Sequence, residues 1–147
     1  MTITTGPDTD LVQAALEQVW ESMLYAVAEP VPSTAGALAN GLEATITVSG
    51  AWNGELRLFC DAGAAQQMAA TMLGAPADEE LPDLDVHDAV GEILNVVGGS
   101  VKGALEGESR LGLPQVRPAT SLPDPADCVA VSWRGAPVYV QIVSQPA

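Results

Sequence analysis

Asp88, Glu92, Asn95 and Gly99 fall at i, i+4, i+7 and i+11, the spacing that lines residues up on one side of an α-helix. The carboxamide of Asn95 donates and accepts hydrogen bonds at once, and the carboxylate of Glu92 stands one turn away from it. The stripe holds no cation. Val90, Leu94, Val97, Val101 and Leu105 repeat the same spacing displaced by two residues, or about 200° around the axis, and form the stripe that a core would bury. Gly91, Gly98, Gly99 and Gly103 lie in the same segment. Each costs up to ~1 kcal/mol relative to Ala inside a helix. Glycine permits another surface to come close, so the polar stripe is expected to be a groove-like docking face.

Each residue also has a plainer reading. Asp85 and Asp88 could be the N-cap and N3 acids of the helix, which is the expectation for Asp85, while Asp88 is open between capping and function. Glu92 could be a solvated surface residue, and Asn95 could bond back to its own helix. His87 has no second histidine or cysteine near it, so a zinc site is not expected.

The stripe needs a scaffold, and the rest of the chain supplies its elements. Residues 1 to 9 are small and polar with a Gly-Pro pair and are expected to fray, leaving residues 10 to 147 as a single domain. Asp10 is expected to cap a first helix whose Leu11, Ala14, Ala15, Val19, Met23 and Val27 recur at helical spacing until Pro30. Residues 30 to 41 have the composition of a loop. From Leu42 the period becomes two, with Leu42, Ala44, Ile46 and Val48 alternating with polar residues. A turn at Gly50 to Gly54 leads to Leu56 and Leu58 in a second strand ending at Cys60, so the pair reads as a hairpin. Asp61 caps and Gly74 ends the next helix, about 62 to 73. An acidic loop precedes the long helix, which is expected from Val86 to Leu105. Beyond it lie LPQV at 113 to 116, the loop SLPDPAD, and a terminal hairpin of Cys128 to Trp133 and Pro137 to Val143. The segregation of strands from helices predicts an α+β fold with an antiparallel sheet.

Composition narrows the function. The 147 residues are 48% hydrophobic and 16% charged, which specifies a folded chain. A net charge of −14 repels phosphate backbones and anionic lipid, so neither nucleic acid nor membrane is an expected partner. No basic leader and no apolar run of membrane-spanning length are present, and the protein is expected to be cytoplasmic. Cys60 and Cys128 lack metal or disulfide spacing and are expected to be buried thiols.

Asp88, Glu92, Asn95 and Gly99, with Pro114 in LGLPQV downstream, resemble the helix motif of the CheX/CheC/FliY chemotaxis phosphatase family. The order of elements matches CheX over most of the chain: a first helix, the hairpin TITVSGAWNGELRLFC, a helix ending MLG, the Glu/Asn helix and a closing hairpin. That likeness implies a CheX-like antiparallel sheet with helices packed on it and a long central helix carrying Glu-x-x-Asn. It implies an aspartyl-phosphate phosphatase acting on a CheY-like receiver domain. Asn95 would orient the attacking water and Glu92 would anchor the partner, through the receiver's lysine. Asp88, Gly91 and Gly99 are the expected partner-binding positions. No metal or cofactor of its own is implied, because the receiver supplies Mg²⁺. A homodimer is implied too, with Trp52 and Trp133 as candidate interface aromatics and core or edge packing as their alternative.

Two departures from the family pattern stand out. Ser100 follows Gly99 where the family often has Asn, and Glu17 is followed by Gln18, Val19 and Trp20, so the second Glu-x-x-Asn of CheC-like members is missing. One site per chain is expected, with Trp20 in the packing. The alternatives are a noncatalytic adaptor that binds a receiver or other signalling partner through the same face, and a structural dimer in which the motif is coincidental.

Overall fold

A computed structural model describes residues 6–31, 37–76, 78–122 and 128–145, with only the backbone of 37–39. Its elements are α1 (Thr9–Met23), β1 (Ala37–Gly50), β2 (Gly54–Cys60), α2 (Ala62–Leu73), α3 (Asp83–Ala104), β3 (Ser109–Leu111), β4 (Gln115–Ser121), β5 (Cys128–Trp133) and β6 (Ala136–Ser144). The strands make a six-stranded sheet in the order β3-β1-β2-β6-β5, with β4 also paired to β1, and every pairing antiparallel. The three helices pack on one face. The fold is the expected α+β arrangement.

Alternation decides the sheet. Leu42, Ala44 and Ile46 of β1 point into the core beside Leu56 and Leu58 of β2, Val138 and Val140 of β6, and Val129, Val131 and Trp133 of β5, and Val48 is buried as well. The residues alternating with these carry the opposite face, where Phe59, Ala130 and Tyr139 form a smaller cluster. The β5–β6 hairpin turns through Arg134 (φ 47°) and Gly135 (φ 89°), the positive-φ pair that matches strand twist in a two-residue turn. Asp61 caps α2 by accepting from the Ala64 amide at 2.8 Å, and Gly74 ends it in the left-handed conformation at φ 67°.

Several boundaries differ from expectation. Asp8, rather than Asp10, caps α1, its Oδ1 accepting from the Leu11 amide at 2.8 Å. The buried stripe is Val12, Ala15, Leu16, Val19 and Trp20, and the helix stops at Met23, well short of Pro30. Tyr25 adopts φ 54° just beyond it, so Val27 is solvent-exposed instead of core. Of the terminus expected to fray, residues 1 to 5 lie outside the described residues, whereas Pro7 is buried and Asp8 and Thr9 begin α1. β1 starts at Ala37 inside the expected loop, with a register irregularity between Ala37 and Gly41 and Asn40 at φ 49°. Residues 32–36 of that loop, and 123–127 of SLPDPAD, lie outside the described residues.

β3 and β4 were not expected. β4 contains Pro118, which removes a ladder donor and argues against a central strand, but β4 pairs along only one side, with β1, where a proline is tolerated. Trp52 and Trp133 are both buried, so packing is their role, and Trp20 is buried with Nε1 donating to the Ser132 carbonyl at 2.9 Å. Cys60 is buried; Cys128 is only partly so, and no disulfide joins them.

Candidate functional site

α3 is laid against the sheet by Val86, Ala89, Val90, Ile93, Leu94, Val97 and Val101. Its first turn begins three residues earlier than expected, at Asp83. Pro82 occupies the N-cap with no side-chain cap, its φ of −57° suiting the approach to a helix. Asp85 is therefore a first-turn acid and not the cap. Asp83 and Asp85 both complement the positive end of the helix dipole, as Lys102 complements the other end. Asp88, a full turn further in, is beyond the reach of the free N–H groups, which removes its capping reading.

Gln66 of α2 fixes where α3 starts. Its Nε2 donates to the Leu81 carbonyl and its Oε1 accepts from the Leu81 amide, both at 3.0 Å, so one side chain holds both backbone groups of the residue two before Asp83. Nothing in the sequence marked Gln66 for this role, because a glutamine on a helix says nothing about which backbone it meets.

Asp88, Glu92 and Gly99 are exposed and Asn95 is half-buried. The stripe thus lies on the side of α3 turned away from the sheet. Asp88 and Glu92 form a ridge between two hollows. One, of ≈ 370 Å³, is lined by His87, Asp88, Gly91, Glu92, Pro114 and Val116. The other, of ≈ 250 Å³, is lined by Met72, Leu73, Asp85, Asp88, Ala89 and Glu92. Among the described residues the ion pairs are Arg57–Glu55 and Arg117–Glu43, both on the sheet, and neither Asp88 nor Glu92 takes part in one. Among the described residues, then, no cation is ion-paired to the carboxylates of the ridge.

The glycines divide into two kinds. Gly91, expected on the partner-facing surface, is buried instead: a Cβ there would stand 3.6 Å from Pro114 and 3.7 Å from Val116, so it brings the β3–β4 connection onto the helix and floors the larger hollow. Gly98 is buried too, with a Cβ position 3.3 Å from Leu111 Cδ2 and 3.5 Å from Ile46. Around Gly99 and Gly103 a Cβ would meet nothing within 4 Å. Only the second pair faces open space. Pro114, quoted above for its place in the motif, is the lip of the hollow beside Glu92.

An arrangement of this kind can hold a polar group of a docked molecule through Glu92 and place a carboxamide one turn along. Among the described residues no group of three or more His, Cys, Asp or Glu side chains could hold a metal ion, and no helix is long and apolar enough to cross a membrane.

The sequence profile of the family described as "Chemotaxis phosphatase CheX" matches residues 42–131, and the chain belongs to that family. Solved structures with this fold include a CheC-like superfamily protein from Shewanella sp. PV-4, 19% identical, with a TM-score of 0.72 over 93% of this chain and 96% of that one. The chemotaxis protein CheX from Vibrio vulnificus is 21% identical, with a TM-score of 0.70 over 92% of this chain and 97% of its own. A third is the CheX–CheY–BeF₃–Mg²⁺ complex from Borrelia burgdorferi, 14% identical, with a TM-score of 0.69 over 97% of this chain and 100% of that chain. At these identities the likeness is one of fold. No curated protein matches the sequence.

Proposed function

We propose that the protein is an aspartyl-phosphate phosphatase whose substrate is the phosphorylated receiver domain of a CheY-like response regulator. The observation that carries this reading is an exposed carboxylate, Glu92, and a half-buried carboxamide, Asn95, on the one side of α3 that the sheet leaves uncovered. Membership of the CheX family supports it, as does the fold shared with a CheX crystallised with CheY, BeF₃ and Mg²⁺.

Hydrolysis of an acyl phosphate breaks the bond between phosphorus and the aspartyl oxygen as a water oxygen bonds to phosphorus on the opposite side. The products are the free carboxylate and inorganic phosphate, and the water's protons leave with the phosphate or to solvent. Such a loose transition state needs an in-line water and charge stabilisation more than it needs a covalent partner. Mg²⁺ and a lysine on the receiver supply the charge. In our reading Glu92 accepts a hydrogen bond from that lysine and fixes the docking register, and the Asn95 carboxamide oxygen accepts a hydrogen bond from the attacking water, orienting it in line, while the amide nitrogen donates to the phosphoryl group. A well-placed orienting group of this kind contributes about 10² to 10³ in rate. No metal or cofactor of the phosphatase's own enters the scheme.

The proposal places the protein in the cytoplasm and as a homodimer. β5 bounds one end of the sheet and β3 with β4, both paired to β1, bound the other; the outer side of β5 is already bridged by Glu29 to Val31, so the β3–β4 side is the edge left for a second copy. Asn95→Ala tests the chemistry. We expect loss of a phosphorylated receiver's label to fall to the receiver's intrinsic rate while circular dichroism and thermal midpoint stay at the parental values. An alanine variant as active as the parent removes Asn95 from the mechanism. A parent that binds the receiver and never turns over is the adaptor instead.

A further inference from the structure

Leu73, Leu84 and Leu113 are 58%, 70% and 87% exposed, and they come from three separate elements: the end of α2, the start of α3 and the β3–β4 connection. All three lie beside residues that form the ridge or its hollows. Leu84 precedes Asp88 by four residues and so lies one turn before it on the same stripe. Leu73 lines the smaller hollow together with Asp85, Asp88 and Glu92. Leu113 immediately precedes Pro114, which lines the larger hollow with Asp88 and Glu92. Single exposed leucines are ordinary on a protein surface, whereas large apolar side chains bordering one polar stripe on three sides mark a surface that is covered in use.

We infer that these leucines form an apolar bracket around Asp88, Glu92 and Asn95 that the receiver domain covers when it docks, and that they rather than charge supply most of the affinity. The partner's identity rests on the function proposed above; the bracket itself rests on exposure and position. Charge determines what the occupant must present. Covering an unpaired carboxylate among apolar side chains is costly unless the incoming surface brings a cation to it, so the partner carries an ammonium or guanidinium group opposite Glu92 and apolar residues opposite the leucines. Long-range attraction helps little. A chain of net charge −14 gains nothing from approaching a domain whose own pocket is acidic. Contact area around the ridge is what remains to hold the complex, and it also gives a means of choosing among receivers, since a receiver with polar residues at the matching positions would leave the leucines against unpaired groups.

The test separates docking from turnover. Receivers loaded with beryllofluoride and Mg²⁺, which mimic the phosphorylated state without being hydrolysed, are titrated with the parent, with the triple variant Leu73→Ser/Leu84→Ser/Leu113→Ser, and with the control Tyr25→Ser/Val27→Ser. The control residues are as exposed, at 80% and 78%, but belong to the segment leading from α1 towards the β5 edge. The triple variant is expected to bind about a hundredfold more weakly or worse. The control should keep parental affinity, with thermal midpoints unchanged in both because every substituted side chain is exposed. A loss under about tenfold in the triple variant, an equal loss in the control, or no binding by the parent overturns the bracket. Turnover is followed separately on phosphorylated receivers: a parent that binds through the leucines but releases no phosphate overturns the catalytic reading and leaves the bracket standing.

Discussion

Gly98 and Gly99 are adjacent in sequence and opposite in physics. An added methyl at Gly98 would sit 3.3 Å from Leu111 and 3.5 Å from Ile46, between helix and sheet, whereas at Gly99 it would meet open space. Alanine at either position gains helix propensity of up to ~1 kcal/mol. Only Gly99→Ala should keep that gain, raising the thermal midpoint by about 2–4 °C, while Gly98→Ala shows none of it or a loss because Leu111 must give way. Differential scanning calorimetry of the two variants decides the matter, and equal gains would mean that Gly98 is not a packing position. The same contrast explains what was legible at this scale. The outward direction of Asp88, Glu92 and Asn95 followed from helical periodicity, since residues set opposite a buried stripe face away from it. The burial of Gly91 and Gly98 did not, because it depends on Leu111 of β3, Pro114 of the β3–β4 connection and Val116 of β4, a stretch with no periodic pattern of its own.

At the scale of elements, the position of the site is set by how α3 is anchored. Its apolar stripe fixes rotation against β1, and Gln66 fixes its first turn through the two backbone bonds to Leu81. Gln66→Ala leaves that amide and carbonyl partly buried without partners, at a cost of about 1–3 kcal/mol. We expect urea unfolding to register this loss and hydrogen exchange to quicken first at Leu81 to Val86; unchanged protection there would show that Pro82 alone sets the helix start. Most of this architecture could be read in advance. The β1–β2 hairpin announced itself by strict alternation, and α2 by Asp61 and Gly74 at its ends. β4 stayed hidden because Pro118 and the exposed Gln115, Arg117 and Thr120 give an edge strand no alternating signature. The end of α1 was misplaced for a related reason: the stop is Tyr25 at positive φ, and no residue type there demands it.

Across the whole molecule, the sheet separates two environments. The helix-covered face holds the large core, including Cys60, whose thiol burial pushes up to about 12 from 9.0, with the neighbouring Asp61 adding to the shift. Well below pH 9 the thiol is protonated folded or unfolded, so it has no effect on the pH dependence there. Between about 9 and about 12 the unfolded chain releases the proton and the folded one retains it, so stability falls as pH rises through that window. Cys60→Ala should flatten this part of the urea-stability profile by the share of one proton, and native Cys60 should resist thiol reagents at pH 8. The opposite face carries Glu43, 6% exposed and ion-paired to Arg117, whose own pKa is raised mainly by that hydrogen bond. Among the described residues charge is therefore compensated on the sheet and left uncompensated on the α3 ridge, where the partner is proposed to dock. Phosphate release from phosphorylated receivers by substoichiometric amounts of the protein measures that claim most directly. Many phosphates released per chain by the parent, and none above the receiver's own rate when Glu92 and Asn95 are both alanine, is the predicted result; release that is unaffected by losing both side chains would contradict it.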